Sequence, residues 1–150
     1  MNNGIEGILR GGQFKKLVET TMLVIKDNTG LKRVEVEVLY FLSRYPEKNT
    51  MKDICGHLQM NKGHISTVMD NLTKQEYIIQ QKDENDRRYM HYIPTEKADE
   101  IIEKMTALWE HMMAHLTKNV TDEELAVFEK VAVIIGGNIE KMLNDTEWMK

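Results

Sequence analysis

A single cysteine, no apolar run of membrane-spanning length, no internal repeat and no low-complexity tract define this 150-residue chain by what it lacks. With only Cys55 there is no intramolecular disulfide framework, which suits a reducing compartment and leaves the core to hold the fold. The opening "MNNGIEGILRGG" has neither the charged start nor the long apolar centre of a signal peptide, so a cytoplasmic protein without membrane association is expected. The chemistry of an enzyme is missing too. "GIEGILRGG" has no strand-then-helix context of a nucleotide loop, and no Ser, His and Asp occur at a recognisable spacing. The carboxylates are scattered as on helix surfaces. No catalytic residue and no cofactor are expected.

What is present is enough apolar material for one domain, 41% of residues, and a net charge of −4 that is unevenly placed. Between Thr50 and Thr95 six Lys/Arg meet six Asp/Glu, so the whole acid excess lies outside that stretch. The middle of the chain is therefore the part least repelled by a phosphate backbone.

Punctuation divides the chain. "DNTG", Asp27 to Gly30, ends a first helical segment with Ile5, Ile8, Leu9, Leu17, Val18, Leu23 and Ile25 at roughly helical spacing. In the second segment, Lys32 to Tyr45, "VEVEV" alternates like a strand, but Val34, Val38, Leu39 and Leu42 fit a helix that "YPEKN" closes. "TMKD", Thr50 to Asp53, is a capping box opening a short helix with Ile54, Cys55 and Leu58 inward. Asn61 caps the next helix, whose Ile65, Val68, Met69 and Leu72 stand at i, i+3, i+4 and i+7. "YIIQQKDENDRRYMHYI" reads as a β-hairpin around a charged loop. Thr95 is placed to cap a long helix bearing Ile101, Ile102, Met105, Leu108, Trp109, Met112 and Leu116. A second box, "TDEE" from Thr121 to Glu124, starts a last helix with Leu125, Phe128, Val131, Ile135, Ile139 and Met142 expected inward. The fold class is mainly α: a winged helix-turn-helix core over about 31–95, flanked by long helices over about 5–27 and 96–145.

The helix after Asn61 raises the functional question. Opposite its apolar stripe stand Gly63, Thr67, Asp70 and Lys74, with His64, Ser66 and Asn71 on the flanks. Short polar side chains let a helix approach a surface closely and can hydrogen-bond to base edges, while Lys62 and the helix dipole favour phosphate. An ordinary solvated face looks similar. The context is what points further: helix, tight "LQMN" turn, helix and hairpin follow in unbroken order, and the hairpin tip carries Arg87 and Arg88, a residue type favoured in a narrow minor groove. Asp86 is expected to pair with one of them and shape the loop.

"IC-GHLQMNKGHISTVMDNLTKQEYI" followed by "KDENDRRYMHYIPTEKA" resembles the core of the MarR family of bacterial transcriptional regulators, and the flanking helices match its layout over nearly the whole chain. The resemblance implies a repressor-type DNA-binding homodimer whose first, fifth and sixth helices interlock with the partner. Lys62, Gly63, His64, Ser66, Thr67 and Asn71 match recognition-helix positions, with Lys74 further along, and Arg88 matches the wing arginine. Glu76 stands where the family often has glycine, Glu84 where it often has proline, and Pro94 and Ala98 replace a usual leucine and glycine. Independently, long amphipathic helices outside a winged core need a covering surface, which a second copy supplies. Two-fold symmetry would set two recognition helices about 34 Å apart and select an inverted repeat in double-stranded DNA.

Several residues raise the question of sensing. Cys55 falls on an apolar side and reads as packed. His111 and His115, at i and i+4, could seat a metal with Glu37 or Glu110, which leaves a zinc-responsive regulator as an alternative; with no third histidine near, no metal site is assigned. Trp109, Met112 and Met113 read as dimer core. The resemblance also implies a small-molecule effector cleft where the second and fifth helices meet, with Arg33, Tyr40, Phe41 and His111 as its lining. A winged helix that docks a protein partner is the other reading.

Overall fold

In the computed structural model the described residues are 12–84, 86, 88–145 and 147–149, with the side chains of 23 and 25–28 left aside. Ile5, Ile8 and Leu9 lie outside them. Two units divide the chain, the first reaching to Trp109 and the second starting at Glu110.

In the first unit, helix α1 spans Gly12–Thr29 and stops at Gly30, whose φ of +71° is the left-handed conformation that glycine adopts without Cβ strain. Helix α2, Arg33–Arg44, settles the "VEVEV" ambiguity. Val36, Val38, Leu39, Phe41 and Leu42 are buried, and the Glu35 carboxylate accepts from the Lys32 backbone N–H at 2.7 Å, closing the first turn. Tertiary burial of a helical stripe overrides local alternation.

Helix α3, Met51–Leu58, begins at the Thr50–Asp53 box, with Thr50 N–H on Asp53 Oδ2 at 3.1 Å and Asp53 N–H on Thr50 Oγ1 at 3.4 Å. Ile54 points into the core, with Cys55 and Leu58 packed at its edge. Gln59, in the left-handed region at φ +52°, turns the chain, and Asn61 Oδ1 accepts from His64 N–H at 2.9 Å to start helix α4, Lys62–Lys74. Ile65, Val68, Met69 and Leu72 are all buried.

Glu76 ends α4 at φ +60°. Its N–H donates to Thr73 O at 3.0 Å and the Tyr77 N–H to Leu72 O at 2.9 Å, the paired bonds of a Schellman motif. The glycine-like turn therefore persists with a glutamate in it. Strands β1, Ile78–Lys82, and β2, Met90–Pro94, pair antiparallel from Ile78↔Pro94 to Lys82↔Met90. A bridge from Thr50 to His91 and a Tyr92 N–H to Asn49 O bond of 2.9 Å fasten the hairpin to the start of α3.

Helix α5 spans Glu96–Leu116. Thr95 does not cap it as expected: its hydroxyl donates to the Glu76 carbonyl at 2.7 Å and its N–H to Tyr77 O at 3.0 Å, binding the end of α4 instead. Ala98, Ile101 and Met105 complete the core. Beyond Trp109 the second unit holds the end of α5, helix α6 (Asp122–Asn144) opened by the Thr121–Glu124 box, and a 3-10 turn at Glu147–Met149. The stripe expected inward on α6 is a correction, because no residue of that helix is buried in the single chain and Phe128, Val131, Ile139 and Met142 are exposed. Among the described residues nothing covers that apolar face.

Candidate nucleic-acid interface

The apolar stripe of α4 fixes which of its residues face out. Lys62, Gly63, His64, Thr67, Asp70 and Lys74 are exposed, and Ser66 is half-buried. Thr67 Oγ1 donates to Gly63 O at 3.2 Å, a local bond that water or a ligand can replace. Asn71 differs from the others. It is half-buried, and its side-chain amide donates at 3.5 Å to the Glu35 carboxylate, which is itself only 3% exposed.

The wing tip is organised by carboxylates. Asp86 accepts from Arg88 Nε at 3.0 Å and Nη2 at 2.7 Å, and from the Arg88 backbone N–H at 3.1 Å. The Arg88 guanidinium holds the Asp86 carboxyl below its usual range, helped by the backbone donor. Asp83 receives the Asp86 N–H at 2.7 Å and His91 Nε2 at 2.9 Å, and the other ring nitrogen of His91 meets Asn49 Oδ1. Arg88 remains 87% exposed at its side chain. Arg87 lies outside the described residues.

Between α4 and the wing runs a cleft of about 620 Å³ whose walls bring together Lys52, Lys62 and Arg88 with Thr50, Ser66 and Tyr89. Three cations, hydroxyls and an aromatic ring on one concave surface suit a phosphate chain with sugars and bases beside it. Lys52 and Tyr89 are not singled out by the sequence. Their placement depends on the hairpin folding back onto α3, which no local motif announces. Cys55 also borders this cleft, half-buried.

The C-terminal end of α4 is anchored from α5. Lys97 Nζ donates to Gln75 O at 2.7 Å and sits 4.8 Å from the centre of the Tyr77 ring. A cation on the last carbonyls of a helix complements its dipole.

A second cavity, about 470 Å³, is walled by α1, α2, α3 and α5 and lined by Tyr40, Phe41, Arg44, His57, Met105 and Trp109 among others. Two residues expected in such a cleft are not among those that line this cavity. Arg33 does not line it: its guanidinium is tied to Glu37 at 2.9 Å and Glu19 at 3.2 Å, and an arginine facing two carboxylates at the helix start is held there by charge. His111 belongs to the second unit and is not among the lining residues. Trp109, read as dimer core, is part of the wall and contacts Tyr40 with ring centres 6.2 Å apart. His57 stacks on Phe41 at 4.2 Å, and burial, with the Lys48 charge, lowers its pKa against the pull of Glu37.

His111 and His115 stand with ring centres 4.4 Å apart, His115 Nδ1 bonding the His111 carbonyl at 2.9 Å. Among the described residues no group of three His, Cys, Asp or Glu is placed to hold a metal ion, and Glu37 is engaged by Arg33. No helix among them is long and apolar enough to cross a membrane.

Residues 31–98 match the family model of a winged helix DNA-binding domain. Among solved structures the chain is similar to a MarR protein from Peptoclostridium difficile at 22% identity and a TM-score of 0.73, covering 90% of this chain and 88% of that one. A DNA complex of MepR from S. aureus aligns at 19% identity and a TM-score of 0.57, over 88% of this chain and 93% of the other. The heme sensor PefR from Streptococcus agalactiae, in complex with heme, aligns at 18% identity and a TM-score of 0.51, over 92% and 95%. At such identities the likeness is one of fold. No curated protein matches the sequence.

Proposed function

We propose that the chain, whose residues 31–98 match a winged helix DNA-binding domain and whose fold is like that of MarR proteins, is a MarR-type regulator that controls transcription as a homodimer on an inverted repeat. The observation that carries the reading is the shared surface of recognition helix and wing, where Lys52, Lys62, Ser66 and Arg88 line one cleft. In this reading α4 enters the major groove, with His64 and Thr67 toward base edges, Gly63 allowing close approach, and Lys62 and Lys74 on phosphates. Arg88, with Arg87 beside it, meets the adjoining minor groove, and Asp86 holds the guanidinium in one orientation. The uncovered apolar faces, Phe14 and Leu17 on α1 and Phe128 and Val131 on α6, support assembly with a second copy.

Selection of bound sequences from a random DNA pool, followed by footprinting, tests this. We expect an inverted repeat of roughly 20 base pairs and protection by a dimer. Retention of no preferred sequence at physiological salt would overturn it. It would favour a winged helix that docks a protein.

The 470 Å³ cavity supports control by a small molecule with a flat aromatic body, since Tyr40, Phe41, His57 and Trp109 supply ring surfaces and Arg44 a charge for an anionic group. Such an effector releases DNA only by as much as it prefers the non-binding conformation: a hundredfold effect needs about 2.7 kcal/mol of differential binding. Titrating operator binding with phenolic acids, fatty acyl compounds and zinc, on the wild type and on Tyr40→Ala, tests it. A zinc response abolished by His111→Ala would put a metal sensor in its place.

A further inference from the structure

Glu35 is a charged residue in the core of the first unit, and the DNA reading gives it no task. Burying a carboxylate forfeits its hydration and is tolerated only where donors replace the lost water. Among the described residues Glu35 has two, the Lys32 backbone N–H at 2.7 Å at the start of its own helix and the Asn71 amide at 3.5 Å on the recognition helix. The first merely closes a turn, which an exposed residue could do. The second joins α2 to α4 across 36 positions of chain.

Towards α2 the remaining attachment of α4 is apolar, through Ile65, Val68, Met69 and Leu72, while polar ties hold its C-terminal end, from Gln80 to Thr73 and from Lys97 to the Gln75 carbonyl. Apolar contact is non-directional and fixes how closely two helices pack better than the roll of one about its axis. A hydrogen bond is directional, so even the long 3.5 Å contact from Asn71 to Glu35 favours one roll of the helix over others. Roll matters for a helix whose outward side chains must meet base edges, because a small rotation at the axis displaces every side chain it carries.

We propose that Glu35 is a positioning residue of the recognition helix, setting its roll through Asn71. The inference rests on the DNA-binding reading and changes the role of one residue in it: Asn71 serves the interface from behind, as a strut, instead of touching a base.

The test is a double-mutant cycle on operator affinity, with the selected DNA as probe and a melting curve for each variant. Glu35→Met, which keeps length and helix propensity but accepts no hydrogen bond, should weaken binding about tenfold, as should Asn71→Ala. The double variant should bind no more weakly than Asn71→Ala alone, and both single variants should relax base preference at the same positions. Glu35→Gln retains an acceptor without the charge and should lose only about threefold, a loss that also vanishes in the Asn71→Ala background. If Glu35→Met does not fold, the Glu35→Gln cycle decides. Losses that multiply, or a loss of base preference confined to Asn71→Ala, would overturn the strut while leaving DNA binding intact. A wild type that selects no DNA would overturn the reading beneath it and the strut as well.

Discussion

Lys62 lies in the first turn of α4 and borders the cleft with Lys52 and Arg88, and no carboxylate holds it among the described residues. Arg88, by contrast, is already paired to Asp86. Lys62 should therefore release a counterion on meeting a phosphate more completely than Arg88 does. Each neutralised phosphate contributes about 0.9 to the slope of log affinity against log salt, and a dimer makes the contact twice, so Lys62→Ala should flatten the slope by about 1.8. Between 50 and 200 mM salt this becomes about a tenfold difference in the penalty, larger at low salt. Fluorescence anisotropy of operator binding across that range measures it, with random duplex DNA alongside. Loss should be similar on both DNAs, since a phosphate contact carries little sequence information. An unchanged slope with altered base preference would refute the argument and move Lys62 onto a base edge.

Other outcomes follow from individual residues. Glu76→Gly removes a side chain from a left-handed position and should raise stability by about 0.5–1 kcal/mol, seen as a melting point about 1–4 °C higher; a lower one would show that the glutamate side chain holds the turn. Burial lowers the pKa of His57 in the folded state, so the unfolded chain binds its proton first. The stability tied to the neutral ring is present above about pH 6.5 and is lost as pH falls from there toward the lowered folded value. Urea unfolding at pH 7.5 and 5.5 should show this loss in the wild type and a smaller one in His57→Phe. Val131→Glu places a charge on the uncovered face of α6 and should shift sedimentation from dimer to monomer while the winged core melts as before. A charged variant that stays dimeric would take α6 out of the interface.

Local signals were legible in the sequence wherever one turn of chain decides the matter. The Thr50–Asp53 and Thr121–Glu124 boxes and the Asn61 cap need only residues three apart, and all are formed. The stripe of α4 was equally plain, because its four apolar residues fit one period. Thr95 shows the limit, since its hydroxyl donates to the Glu76 carbonyl, 19 residues back, a tertiary bond that no local spacing announces. Glu35 shows another. In an alternating Val/Glu run it reads as surface, yet it occupies the first place of the i, i+3, i+4, i+7 series completed by Val38, Leu39 and Leu42. That spacing was the available sign of a buried carboxylate. Lys52, Tyr89 and the cavity walls at Arg44 and His57 had none, because several elements must meet before those residues become neighbours.

An arginine gripped on two sides by a neighbouring carboxylate has given up rotamer freedom before meeting any partner, freedom that an unrestrained side chain would lose on contact. The same grip cancels its charge, so random duplex gains little from the wing tip while a well-shaped groove still receives an oriented guanidinium. In the proposed regulator this favours short visits to non-cognate sequence. The search along a chromosome becomes a series of quick rejections, and the time spent bound concentrates where both groove shape and base edges fit.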